Sequence, residues 1–287
     1  MIQSLAFSPL GRHPGDACLR RGYDPGKLLE VHETVHQRLA GQGVRSIQFA
    51  HRSYATSAYN SLASAGAKIV RHSTPAEGLV QLKEALVAMT GKACLSFYWA
   101  ALDSMAHVHG PGTSYHAAEI ASFWLTFDAI FQDAASPNTL YLFTADHGHV
   151  RADAAETIAL NLRLPQLAEH LAVSPTGNRI YPNGSPRDVF LHVRPERRDE
   201  TIDLLCNELD GVAAVMTVDA ALGEGLLGPQ PVSEELRRRL GDILILPRLG
   251  HFVWWHEPGV LTNTFHGHHG GLTAEEAITA FGVIDAL

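Results

Sequence analysis

The sequence predicts an α/β protein: a mostly parallel sheet covered by helices, with a small α+β insert. Three observations carry this. Short apolar or β-rich runs alternate with amphipathic helical patterns over the first half of the chain, as strands and crossover helices do. A turn-rich stretch near residue 175 is followed by a different rhythm of strands and helices. Finally, 287 residues with 46% hydrophobic and 18% charged side chains are enough to bury a sizeable core.

Taken in order, Ser46 to Ala50, Lys68 to Val70, Ala93 to Trp99 and Thr139 to Thr144 read as strands. Tyr98 and Trp99 are read as core of the third strand rather than walls of a site. The strongest helix follows Thr113-Ser114, with a hydroxyl placed to cap it and Ile120, Phe123, Trp124, Phe127, Ile130 and Phe131 at helical spacing. That spacing assigns the aromatics to the core. Beyond Ser174-Pro175-Thr176-Gly177 come a strand at Val189 to Val193, a helix at Arg198 to Leu209, a strand at Val212 to Val218, a helix at Ser233 to Leu240 and a strand at Asp242 to Leu246. Residues 175–250 are therefore expected to be an α+β subdomain inserted into a main domain of residues 1–174 and 251–287.

Composition excludes several classes. A formal net charge of -8 argues against binding extended nucleic acid, which needs clustered Lys and Arg. Cys18, Cys94 and Cys206 lack the paired spacing of a disulfide framework or zinc knuckle. No apolar run reaches the ~18 residues of a membrane span, and the start lacks a signal-peptide pattern. A soluble, cytoplasmic protein without a membrane partner is expected, and the sequence is silent on oligomeric state.

The chemistry concentrates in three short clusters. In the first, Asp103 and His107 follow the third predicted strand and stand four apart, so a helical turn presents both to one cation. The second, Ala145-Asp146-His147-Gly148-His149, lies at the carboxyl end of the fourth strand, where ligands of open α/β sheets bind. Gly148 is expected to let the backbone turn and leave room for a metal or substrate oxygen. The third runs from Phe265 to Glu276 through His266, His268 and His269, with Thr273 and Glu276 spaced as a capping pair. Each alone has a bland reading as a surface turn or an exposed histidine-rich loop. Together they hold seven of the 17 histidines, counting His107, His109, His147, His149, His266, His268 and His269. Clustering at strand ends is what a shared metal site produces, and mixed Asp and His donors suit Zn²⁺ first, then Mn²⁺ or Fe.

In order and spacing, Asp103 with His107, the Ala145-Asp146-His147-Gly148 turn and His269-Gly270-Gly271-Leu272-Thr273 resemble the type I phosphodiesterase/nucleotide pyrophosphatase family, a branch of the alkaline phosphatase superfamily. The likeness also takes in Arg239-Leu240-Gly241-Asp242. The resemblance implies an alkaline phosphatase-like fold and two divalent metal ions. Asp103, His107 and His269 would hold one ion, Asp146 and His147 the other. His268 competes for the late position, but His269 directly precedes Gly270-Gly271, as the family's ligand does. His109, His149 and His268 are left as supporting or substrate-facing groups. The implied reaction is hydrolysis of a small-molecule phosphate ester, a nucleotide among the candidates, through a Thr or Ser nucleophile.

That nucleophile and its preceding aspartate are not found. Met1 to Leu29 looks like the part of the family that follows the nucleophile, so the main domain is expected to be incomplete at its N-terminal side. Ser4 and Ser8 lack the required context. The alternative is a non-catalytic metal-binding fragment or remnant of such an enzyme. A cofactor-independent phosphoglycerate mutase relative would share the metal logic, but the insert is too small and begins too late. Whether the substrate is a monoester, diester, nucleotide, sulfate ester or phosphonate is not legible, because the surroundings of the nucleophile select it.

Overall fold

A computed structural model describes residues 33–132, 138–258 and 261–285. Met1 to Leu29, with Ser4, Ser8 and Cys18, lies outside the described residues. In chain order the elements are α1 (Val35–Gly41), β1 (Arg45–His51), α2 (Ala58–Ala63), β2 (Lys68–His72), α3 (Pro75–Val87), β3 (Ala93–Phe97), α4 (Ala101–His109), α5 (Ser114–Phe131) and β4 (Leu140–Thr144). Then follow β5 (Val150–Arg151), β6 (Ile158–Ala159), α6 (Leu160–Arg163), α7 (Leu167–His170), β7 (Asn183–Ser185), β8 (Asp188–Leu191), α8 (Arg198–Glu208), β9 (Ala213–Thr217), α9 (Val218–Gly223), α10 (Glu234–Leu240), β10 (Ile243–Pro247), β11 (Val253–Trp254), β12 (Gly267–His268), α11 (Ala274–Ala277) and β13 (Phe281–Asp285).

The chain divides into two compact units: Met1–Ala101 with Ala118–Tyr141 and Ile284–Leu287, and Leu102–Ala117 with Leu142–Val283. In the first, β1 lies between β2 and β3 in a parallel sheet, with Ile47 opposite Lys68 and Arg45 opposite Ala93. Parallel strands need crossovers, and the sequence supplies capped helices for them. Ser57 caps α2 between β1 and β2, and α1, ahead of β1, opens on a reciprocal Thr34–Gln37 capping box. Thr74 caps α3, whose first turn opens on Pro75. Phe49 and Ala50 in the C-terminal half of β1 are fully buried, and Phe127 and Phe131 of α5 are buried, their rings stacked 4.7 Å apart. β3 ends at Phe97, two residues short of the expected strand. Tyr98 is 48% exposed, so it is not core, while Trp99 stacks on Phe123 at 4.2 Å and donates to Glu119.

In the second unit, β7, β8, β10 and β9 form an antiparallel sheet, and its elements fall close to the strands and helices predicted after residue 175. Val189, Leu191, Ile243 and Ile245 pack on one face with Leu160, Leu167, Leu205, Leu209 and Trp255. Phe190 and Leu244 point the other way, onto Val218, Ala221 and Leu222. Two apolar faces explain why these strands read as unbroken apolar runs instead of alternating. Each fully buried aliphatic side chain contributes roughly 1.5–3 kcal/mol. Among the described residues, no helix is long and apolar enough to cross a membrane.

Candidate metal centre

Every predicted ligand lies in the second unit. Asp103 and His107 sit one turn apart on α4, which begins four residues after β3 ends. The turn after β4 carries Asp146, His147 and His149, and β5 follows at once. β5 pairs antiparallel with β12, His268 opposite Val150 and Gly267 opposite Arg151, and this ladder brings the two histidine-bearing segments side by side. α4 is tied to the same ladder, because His107 Nδ1 lies 2.7 Å from the Gly267 carbonyl and the His266 N–H donates to the His107 carbonyl at 2.9 Å.

The result is a convergence on Asp103. Its Oδ1 lies 3.2 Å from His149 Nε2, 3.4 Å from His107 Nε2 and 3.9 Å from His269 Nε2. One donor atom from each of Asp103, His147, His149 and His269 lies within 4.8 Å of all the others. The rings of His147 and His269 stack face to face, centroids 3.4 Å apart. Tautomers follow from the acceptors. A carbonyl can only accept, so the protons of His107 and His147 sit on Nδ1, facing the Gly267 and Gly148 carbonyls. Both Nε2 lone pairs are thereby left for a metal.

Electrostatics favour a cation. Burial raises the Asp103 carboxyl, but the close approach of His149 and the charges of His107, His149 and His269 outweigh it and hold the group below its ordinary value. His269 is pushed down to about 4, by burial first and then by neighbouring His147, His149 and His107, with Asp103 opposing. It is therefore neutral at physiological pH. Asp103 Oδ1 and His149 Nε2 are buried yet make no well-formed hydrogen bond among the described residues. Unsatisfied buried polar atoms are costly, and a divalent ion among them would satisfy both. The residues fit a metal.

The predicted residues part company here. Asp103, His147 and His269 belong to the four-residue group, and His107 reaches Asp103 from one side. Asp146 is separate: its side chain is 70% exposed and lies 3.6 Å from His147, outside the four-residue group. His149, expected in a supporting role, is inside the group. His268 faces inward, its Nε2 2.7 Å from Asn263 Oδ1 and its ring edge-on to Phe252. Burial, then the charges of His107 and His269, push it down to about 3. His109 stacks on Tyr115 at 3.9 Å.

Gly148 serves a different purpose from the one expected. A Cβ there would come within 2.0 Å of the Glu275 carbonyl oxygen, so glycine makes room for the chain at Glu275. The Gly148 N–H donates to the Glu276 carbonyl at 2.8 Å. Thr273 occupies the cap position of α11, but its hydroxyl donates to the Glu276 carboxylate, and no side-chain cap bond to the backbone forms. The same carboxylate is held by Arg187, which sequence reading missed. Its side chain is completely buried and grips Glu276 through two bonds of 2.9 Å. Only the Ser185-Pro186-Arg187-Asp188 string marked it, and that string reads as an ordinary turn.

The chain is thus an α/β protein that gathers an Asp/His group able to hold a metal ion. Residues 29–272 match the family model described as type I phosphodiesterase / nucleotide pyrophosphatase, and the chain belongs to that family. Among solved structures it is similar to murine ectonucleotide pyrophosphatase / phosphodiesterase 5, with 15% identity and a TM-score of 0.56 over 86% of this chain and 61% of that one. The human counterpart aligns at 13% identity and a TM-score of 0.55, covering 87% of this chain and 62% of that chain. Phosphonoacetate hydrolase from Sinorhizobium meliloti 1021, in complex with phosphonoformate, aligns at 16% identity and a TM-score of 0.54, over 87% and 67% of the two chains. The chain thus spans about three fifths of the length of the phosphodiesterase 5 structures. Among curated proteins no match was found.

Proposed function

We propose that this chain carries the metal centre of a phosphoester hydrolase of the phosphodiesterase/nucleotide pyrophosphatase kind, acting on a small-molecule phosphate ester. The observation behind it is the convergence of Asp103, His107, His149 and His269, within a chain that belongs to this family. Relatives of the same fold support a small phosphorus oxoanion as substrate: one is a phosphonoacetate hydrolase holding phosphonoformate, another an inactive phosphodiesterase 5 variant holding AMP.

In this reading Asp103, His107 and His269 hold one ion with His149 beside them, and Asp146 and His147 hold a second. The donor set favours zinc, ahead of manganese or iron. Such ions supply Lewis acidity and lower the pKa of bound water. The protein's share is to present imidazole nitrogens around Asp103, keep Asp103 ionised and fix both loops. A Thr or Ser nucleophile completes the family's reaction, and the sequence offers none in the required context. A second reading is metal binding without turnover by this chain alone.

The test is hydrolysis of a chromogenic phosphodiester with Zn²⁺ or Mn²⁺ supplied, beside an Asp103→Ala control. Turnover that vanishes in the control supports the hydrolase. Folded, metal-loaded protein without turnover supports the second reading, and turnover that survives Asp103→Ala sinks the assignment.

A further inference from the structure

The turn between β7 and β8, residues 185–188, touches one histidine-bearing loop of the metal centre directly and reaches the other through Glu276. Arg187 donates from Nε and one terminal nitrogen to the two Glu276 carboxylate oxygens, at 2.9 Å each. Its other terminal nitrogen donates to the carbonyls of Arg248 and His251, at 2.8 and 2.5 Å. With Arg187 and Glu276 side chains 0% and 1% exposed, neither has water as a fallback. The same carboxylate accepts the Gly271 N–H at 3.0 Å and the Thr273 hydroxyl at 2.8 Å. The Glu276 carbonyl accepts the Gly148 N–H, one residue from both His147 and His149. At the other side of the turn, the Ser185 hydroxyl lies 3.0 Å from the His269 carbonyl. Gly270, at φ +116°, lies so close to Ser185 Oγ and Asp188 Oδ1 that a Cβ would sit 2.9 Å from each.

We infer that Arg187, with Ser185, is a positioning residue for the metal centre: through Glu276 it locks the 147–149 and 269–271 loops into the spacing in which their imidazoles can share an ion. The inference rests on the metal-centre reading above. A planar, permanently charged, five-donor group suits the role because one side chain can fix a carboxylate and two carbonyls together. Neither Arg187 nor Glu276 meets the metal cluster directly, so its effect passes through the backbone of the histidine loops.

The experiment compares Co²⁺ and Zn²⁺ affinity, and the visible spectrum of the Co²⁺ form, in the full chain and in Arg187→Met, Ser185→Ala and Leu205→Ala. Leu205 is a core residue with no bond to either loop, so its variant reports the effect of lost stability alone. Arg187→Met is expected to weaken metal binding about 10- to 100-fold, as loss of a group that orients ligands does, and to alter the Co²⁺ spectrum. Ser185→Ala should shift the spectrum with a smaller loss of affinity, and Leu205→Ala should change neither. Should Arg187→Met fail to fold, Ser185→Ala decides alone. Wild-type affinity and spectrum in the folded positioning variants overturn the inference and leave the metal centre standing. A wild-type chain that binds neither metal overturns both.

Discussion

The two ends of the candidate centre are built to different standards. At one end, Asp103 is approached by three imidazoles, and its neighbours are tied by backbone bonds into the β5–β12 ladder and α4. At the other, the exposed Asp146 side chain has, among the described residues, one ion-pair partner, His147 at 3.6 Å. The lesson is about preorganisation. A donor set tethered through Gly267, Gly271 and Gly148 has already met the cost of ordering before any ion arrives, whereas Asp146 must be ordered by the ion itself.

The contrast breaks most readily at its centre. Asp103→Ala is expected to cost about 100-fold or more in metal affinity, read by competition with a chromophoric chelator, since it removes the only carboxylate in the four-residue group. Unchanged metal content after this substitution would dissolve the distinction between the two ends. Next comes His149→Ala, expected to lose about 10- to 100-fold against little change for His109→Ala, whose ring is engaged with Tyr115. Equal losses would return His149 to the supporting role that the sequence suggested.

A third test is thermodynamic and concerns the support beneath the tethered end. Burial pushes the Asp188 carboxyl up to about 6, partly countered by the Ser185 hydroxyl and N–H, with Glu276 adding to the rise. A carboxyl raised in the folded state contributes stability that is complete below its unfolded value near 4 and lost as pH climbs through about 6. Denaturant melts of the metal-free protein should therefore show Asp188→Asn gaining on the wild type by on the order of 2–3 kcal/mol between those pH values. A pH-independent difference would remove Asp188 from the account. Smallest is Asp146→Ala, expected to leave the tighter ion within a few-fold of wild-type affinity. In calorimetry it should remove only a weaker second binding event, and loss of the tight event would contradict the comparison.

Much of this was legible in the sequence. β-branched and apolar runs at 46–50, 68–70 and 93–97 became the parallel strands, and the helical spacing of Phe123, Phe127 and Phe131 gave α5 its core face. Motif order, which needs no coordinates, is what singles out Asp103, His107, Asp146, His147 and His269 as ligand candidates. What escaped depended on long-range contact. Nothing in the spacing of Ser185 to Asp188 distinguishes a buried arginine clamp from a surface turn, since Arg187 and its partner Glu276 stand 89 residues apart. The place of His149 beside Asp103 is set by the β5–β12 pairing, which local pattern does not encode. Likewise Tyr98 lies past the last strand residue, and the apolar run gave no sign of where pairing stops.

The Arg187 clamp also bears on how this protein can be re-engineered. The antiparallel sheet looks like a removable cassette, the sort of module one would swap between relatives or delete to make a minimal catalyst. Yet its β7–β8 hairpin delivers the guanidinium that holds Glu276, and through it two histidine loops. A chimera must therefore transplant hairpin and late loop as a matched pair, and a minimised version must replace the clamp before the sheet is cut away.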